Sequence, residues 1–368
     1  MMCGWHVDDG TGVACDVKRS LNFKVNRVVT YLKDTIQVIY ATTMTGWHGN
    51  KALGATLRLN DNEERVLASA PDVVKQLIKT VNTSGITISP KHAMMTNIAD
   101  LTTGDVPETD DPVYASTIAQ MDKDRKALGV MIWLTNFYPG IVTPTNLYCG
   151  CMHATSRDHA KHIAYTCMHL DAHGEDMCLN YGGQPGSNGL ERVEDDADLI
   201  HPFDKDGRKA MYFHHMSDAN LTLRSITGGV GMLAGGVIHM CCVRQHLKTP
   251  DAHAAEVTGA GTNLNFVIPI NGVLQEIGVR VGRSTPFYLD SKTTTFVSNK
   301  DGAAKKSIWI IRRVAVLIEA TNIGEILAIH ISATDMCADA FTKYVKLDLW
   351  RRFMHYVCNL KGVAPKVD

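Results

Sequence analysis

Apolar positions dominate residues 210–217, a strand-like run that ends where Asp218 opens a polar turn. Strand-like runs follow at 229–234 and 237–243, separated by Gly235 and Gly236 at a hairpin position. A strand pair there predicts that Asp218 is held rigidly at one end of a sheet. The pattern then alternates: a helix near 253–265, a strand near 284–290, a helix near 306–320, a strand near 325–331 and a last helix near 335–344. Glu256 stands at the head of the first helix, Asp290 closes the apolar run Phe287-Tyr288-Leu289, and Asp339 lies in the segment 335–343. Gly259, Gly261 and Pro269 predict that the Glu256 helix is short, because proline removes a backbone donor and breaks or kinks a helix.

Upstream, Pro71 and Asp72 followed by an apolar face at Val73, Leu77 and Ile78 predict a short helix over 70–79. Residues 80–123 are rich in Thr, Asp, Pro and Ser, with the clearest linker at 103–112. These breaks divide the chain into 1–66, 67–123, 124–206 and 207–368.

Composition narrows this picture. At 368 residues, 45% hydrophobic and 20% charged, the chain is long enough for several domains with real cores, and disorder is not the default. A formal net charge of −1 excludes a globally basic nucleic-acid binder, so contact with phosphates has to come from local patches. The stretch 225–243 lacks Asp, Glu, Lys and Arg, but it is glycine-rich and contains His239, which suits a hairpin rather than a membrane span. The first residues show no basic segment followed by an apolar run. The expectation is an intracellular protein, cytoplasmic or nuclear and not secreted, with no membrane partner.

Ten scattered cysteines, with Cys241 and Cys242 projecting to opposite faces of a strand, favour reduced thiols. Cys149, Cys151 and His153 imitate one corner of a zinc site, but no second paired corner follows, and they read as ordinary cysteines. His159, His162, His169 and His173 fall at helical spacings, yet no carboxylate shares that spacing, so they read as solvent-facing or capping. Asp8 and Asp9 sit at the tip of a strand–turn–strand, where adjacent acids are commonly only solvated.

Asp218, Glu256, Asp290 and Asp339 differ in standing at four element boundaries, which suggests one metal-binding cluster. Singly, each has an ordinary reading: a turn residue, a first-turn helix acid, a strand-end cap and an N-terminal helix acid.

The order Ser217-Asp218-Ala219-Asn220, Arg224-Ser225-Ile226-Thr227-Gly228, Ala255-Glu256, Asp290-Ser291 and Ala338-Asp339-Ala340-Phe341-Thr342-Lys343 resembles the ribonuclease H domain that ends the Pol polyprotein of copia-type retrotransposons. Val7-Asp8-Asp9 is similar to the Tyr-Val-Asp-Asp hairpin of that family's reverse transcriptase, with His6 in place of the tyrosine. Leu53-Gly54 match the segment before its thumb, and 127–170 resembles its connection helices. The implied fold is α/β (α+β): a ribonuclease H-like mixed five-stranded sheet with flanking helices, preceded by a truncated palm and thumb remnant and a helical connection. Departures are the glycines and proline of 257–277, where the family has an Ala/Leu/Glu-rich helix, and Lys305-Lys306-Ser307-Ile308, where it usually reads Lys-His-Ile.

The resemblance implies Mg²⁺-dependent cleavage of RNA in an RNA–DNA hybrid, with two ions, Mn²⁺ as an alternative, and Asp218, Glu256, Asp290 and Asp339 as catalytic metal ligands. Asp218 would bridge both ions and Asp339 would complete the second site. Four crowded carboxylates should carry raised pKa values without metal. Arg224, Arg244, Lys248, Lys305 and Lys306 are candidate phosphate contacts. The polymerase's third acid and its fingers would lie upstream, so polymerisation by this chain alone is not expected. An upstream polymerase or integrase portion of the same polyprotein is the implied partner. The competing reading is a catalytically degenerate descendant that binds nucleic acid or serves as a structural subunit.

Overall fold

The computed structural model describes residues 2–5, 10–13, 50–52, 55–59, 65–81, 111, 114–153, 157–182, 212–222, 224–233, 235–246, 248–276, 284–299 and 311–360. Asp8, Asp9, Lys305 and Lys306 lie outside them. Flanking the Asp-Asp pair, β1 (Met2–Trp5) and β2 (Gly10–Val13) form an antiparallel ribbon with Trp5 opposite Gly10.

An antiparallel sheet of order β3-β4-β5-β6 combines β3 (Asn50–Ala52), β4 (Ala55–Leu59) and β5 (Arg65–Ser69) with the distant β6 (Leu179–Gly182). Between β5 and β6 run α1 (Pro71–Thr80), α2 (Tyr114–Leu134), α3 (Val142–Cys149) and α4 (Arg157–His173). Pro71 begins α1 because its fixed φ suits a position that needs no N–H, and Asp72 favours the first turn through the helix dipole. Val74 and Leu77 are buried, with Val73 and Ile78 packed at their edge.

The second half is a mixed α/β unit. Its five-stranded sheet has the order β11-β10-β7-β8-β9. β7 (His214–Asn220), β8 (Ile226–Leu233) and β9 (Gly236–Arg244) are antiparallel neighbours, and β8 and β9 are joined at Gly235, whose φ of 74° needs no β-carbon to clash. β10 (Thr285–Leu289) lies parallel to both β7 and β11 (Ile326–His330). Around the sheet lie α5 (Ala252–Glu276), α6 (Lys292–Ser298), α7 (Ile311–Asn322) and α8 (Leu347–Val357). This element order agrees with the mixed five-stranded sheet and flanking helices expected from the sequence.

Strand alternation sends successive side chains into different cores. Phe287 and Leu289 join Val257, Leu264 and Val267 of α5 and Leu317 of α7. Tyr288 faces the other way, into a core with Met216, Val230, Phe341 and the α8 residues Trp350, Phe353 and Tyr356. Met131, Ile163 and Cys167, from α2 and α4, belong to that same second core. Burying each such side chain contributes roughly 1.5–3 kcal/mol, so the upstream helices and the sheet stabilise one another. Hydrogen bonds reinforce the junction: Tyr181 donates to the Val237 carbonyl (2.6 Å) and Asn359 to the Gly182 carbonyl (3.0 Å).

Three expectations need correction. β7 extends to Asn220, so Asp218 lies within a strand paired with Gly228 and not in a turn. α5 runs unbroken from Ala252 to Glu276 with Pro269 inside it. Pro269 and Asn265, whose carbonyl loses its donor, face solvent, while Leu264, Val267 and Leu274 fasten the opposite side to the sheet. The helix expected near 335–344 is a 3₁₀ turn, Cys337–Phe341, with the separate α8 beyond it. Carbonyls that a longer helix would use are engaged elsewhere: Thr143 donates to Ala340 O (2.6 Å) and Asn220 to Thr342 O (2.6 Å). No helix of the described residues is long and apolar enough to cross a membrane.

Candidate metal centre

The acids meet because parallel strands end side by side. Leu289 of β10 is in register with Ser217 of β7, which brings Asp290 next to Asp218 at the carboxyl ends of both strands. Glu256 comes from α5, whose start is capped by Asp251 accepting from the Ala254 N–H (2.7 Å). The helix has no acid in its first turn, so Glu256 does not serve there as a dipole partner. One oxygen each from Asp218, Glu256 and Asp290 lies within 4.8 Å of the others.

Close approach of the supporting elements depends on two glycines of β8. A β-carbon on Gly228 would stand 2.6 Å from Thr342 Cγ2 and 2.7 Å from Ala338 O, in the turn that carries Asp339. One on Gly229 would overlap the Asn263 amide, which donates from α5 to Ser217 Oγ (2.8 Å) and Gly228 O (3.0 Å). Gln245 adds a second clamp, donating to Ala255 O (2.9 Å) and Thr227 Oγ1 (3.1 Å). Sequence reasoning missed Asn263 and Gln245. Nothing in the sequence singled out Asn263, because Asn265, Asn271 and Gln275 are carboxamides on the same helix.

The cluster is electrostatically unsatisfied. Glu256 is 9% exposed, and its Oε2 is buried without a hydrogen-bond partner. Burial pushes its carboxyl far above the usual range, Asp218 and Asp290 push it further, and a hydrogen bond from the Ala219 backbone draws it partly back. Burial and then Asp218 raise Asp290 as well. Burial and Asp218 likewise raise Asp339. A carboxylate with an orphaned, buried oxygen, grouped with two other acids, suits a divalent cation, since hard oxygen donors around one point are the donor set such ions take.

Asp339 lies beside Asp218 but outside the three-acid group. Its Oδ1 is 2.9 Å from Lys343 Nζ, which also stands 3.9 Å from Asp218 Oδ2. Thr342 Oγ1 donates to Asp218 Oδ2 (2.5 Å), and Asn220 joins the turn to the β7–β8 hairpin by also accepting from Ile226 N (2.8 Å). Lys343, Thr342 and Asn220 belong to the very segments that carried the resemblance, though the sequence alone assigned them no role.

Of the candidate phosphate contacts, Arg224 and Lys248 are exposed on neighbouring loops joined by Ser225 Oγ and Thr249 Oγ1 (2.8 Å). The Arg244 guanidinium lies over Gly150, where a β-carbon would overlap it. Of the four α4 histidines, expected to be solvent-facing or capping, two are instead buried: His159 and His169 are 1% and 2% exposed, and the His169 ring is 5.1 Å from His173 and 5.9 Å from Trp350. Among the described residues, the three acids alone form a group of metal-ligating side chains. Cys241 donates to Asn263 on α5 (3.3 Å), whereas the Cys242 carbonyl accepts from Asn146 on α3 (2.5 Å), and the eight cysteines described are free thiols.

Over 36% of its length the chain is similar to the solved N-terminal RNase H domain of rv2228c from Mycobacterium tuberculosis, a fusion protein with maltose binding protein. The match covers 91% of that chain at 12% sequence identity and a TM-score of 0.26. No protein-family model and no curated protein matches the chain.

Proposed function

We propose that this chain is a divalent-metal-dependent endoribonuclease that cleaves RNA in RNA–DNA hybrids, derived from the end of a copia-type Pol polyprotein. The observation that carries the proposal is the convergence of Asp218, Glu256 and Asp290 within 4.8 Å, with Glu256 Oε2 buried and unpartnered. Mg²⁺ is the favoured ion and Mn²⁺ the alternative, because carboxylate oxygens suit both. Residues 207–368 are the catalytic portion, and the segments before them are the remnant and connection of a polymerase whose upstream part is the expected partner.

Asp218, Glu256 and Asp290 would hold the metal, with Asp339 beside them. When bound, it supplies Lewis-acid stabilisation of the attacking and leaving oxygens and lowers the pKa of a water. Thr342 fixes the rotamer of Asp218 by donating to Oδ2. α5 holds Glu256 against relaxation through the Asn263 and Gln245 clamps. Asp290, the least buried of the three, leaves the cluster open to a phosphodiester. Arg224 and Lys248 are suited to phosphates flanking the scissile one, reading backbone shape rather than sequence.

The deciding measurement is cleavage of a labelled RNA–DNA hybrid with Mg²⁺ by the wild-type protein and by Asp218→Asn. A loss of about a hundredfold or more in the variant is expected. Equal product from both proteins removes the assigned site. Absence of turnover in a folded wild type favours the degenerate, binding or structural reading.

A further inference from the structure

We infer that Lys343 is a built-in cation of the acidic cluster, its ammonium group occupying the place between Asp218 and Asp339 that a second divalent ion would need. The free protein therefore takes one divalent ion, at Asp218, Glu256 and Asp290. This rests on the metal-dependent reading above and sharpens it, because the resemblance implies two ions.

The geometry separates the four acids into three and one. Asp218, Glu256 and Asp290 face a common point, whereas Asp339 is engaged by Lys343 Nζ at 2.9 Å. The same nitrogen is 3.9 Å from Asp218 Oδ2, so one ammonium spans the two carboxylates that a second ion would have to share. Lys343 is placed there by backbone: its N–H donates to Asp339 O (3.1 Å), and Thr342, the residue before it, donates to Asp218. The turn thus delivers cation and carboxylate together. The lysine side chain is 44% exposed, so its stem can extend along the surface with the charged head turned inward.

Charge leads to the same division. Three carboxylates facing one divalent ion leave a single negative charge, and Asp339 with Lys343 is neutral as a pair. A second divalent ion shared by Asp218 and Asp339 would be repelled by the ammonium that already spans them unless the lysine swung away. Lysine is suited to this place because its ammonium is a compact point charge on a long flexible stem.

The test counts bound Mn²⁺ by electron paramagnetic resonance on the full chain without nucleic acid. Wild type and Lys343→Arg should bind one ion per chain and Lys343→Met two. The additional ion should disappear in the double variant Lys343→Met/Asp339→Asn. Two ions in the wild type, or one in Lys343→Met with unchanged circular dichroism, overturn the role of Lys343 while leaving the metal-dependent reading in place. Wild-type protein that binds no ion overturns both.

Discussion

The acids of the five-stranded sheet and the histidines of α4 are both sets of closely placed ionisable groups, yet the fold treats them in opposite ways. The acids come from β7, α5, the end of β10 and the 337–341 turn, and they are driven together with a buried oxygen left unpartnered. The histidines share one helix at regular spacing, and the buried ones are absorbed into packing, as with His169 against Trp350. Regular spacing along a helix sets direction but not convergence. A site needs side chains aimed at one point from different elements, at a cost in stability that a packed ring does not incur.

Glu256→Gln breaks the comparison most sharply. It should abolish the rise in thermal midpoint produced by Mg²⁺ and raise the midpoint of the metal-free protein by a few degrees, since an amide is neutral without the proton that the buried Glu256 carboxyl must take up on folding. A metal-dependent midpoint equal to that of the wild type would remove Glu256 from the site.

The two regions should also differ in the sign of their pH dependence. Glu256, Asp290 and Asp339 are raised above their ordinary values, so the folded metal-free protein holds protons that the unfolded chain has released. Its stability should fall as pH climbs above about 4.5. Saturating Mg²⁺ should flatten that fall. His169 is pushed down to about 3 by burial and by His173, so the unfolded chain binds the extra proton. Stability from this region should be lost as pH drops below about 6.5 toward 3. Mg²⁺ should not touch that limb, whereas His169→Phe should make it shallower. Chemical denaturation across pH, with and without Mg²⁺, measures both limbs, and an alkaline decline insensitive to Mg²⁺ would contradict the acid cluster.

The smallest effect tests whether the upstream helices support the site. Thr143→Val removes the donor to Ala340 O, in the turn bearing Asp339. The expected loss is about 1 kcal/mol, with Thr143→Ser restoring it. Equal denaturation midpoints for wild type and Thr143→Val would mean that the bond contributes nothing.

Much of the fold was legible from pattern. The hairpin glycines, the apolar run ending at Leu289, and Pro71 with Asp72 have local causes, and the structure has corresponding elements in those places. α6 was not anticipated, although Ser291 caps it by accepting from Thr294 N (3.2 Å), because seven residues are too few to show a period. Pro269 misled because its effect depends on which side of the helix meets water. The turn at 337–341 misled because its carbonyls are claimed by Thr143 and Asn220, from segments far away in sequence.

The sequence by itself determined which residues are acids, where the apolar runs begin and end, and in what order strands and helices follow, since these depend on neighbours a few positions apart. Tertiary structure alone decided that three of the acids share one point, that Asp339 is held by Lys343, and that His159 and His169 are buried. Those outcomes depend on strand register, on helix approach across Gly228 and Gly229, and on distances between groups more than a hundred residues apart, such as Asp218 and Thr342. Such distances are fixed only when the cores close.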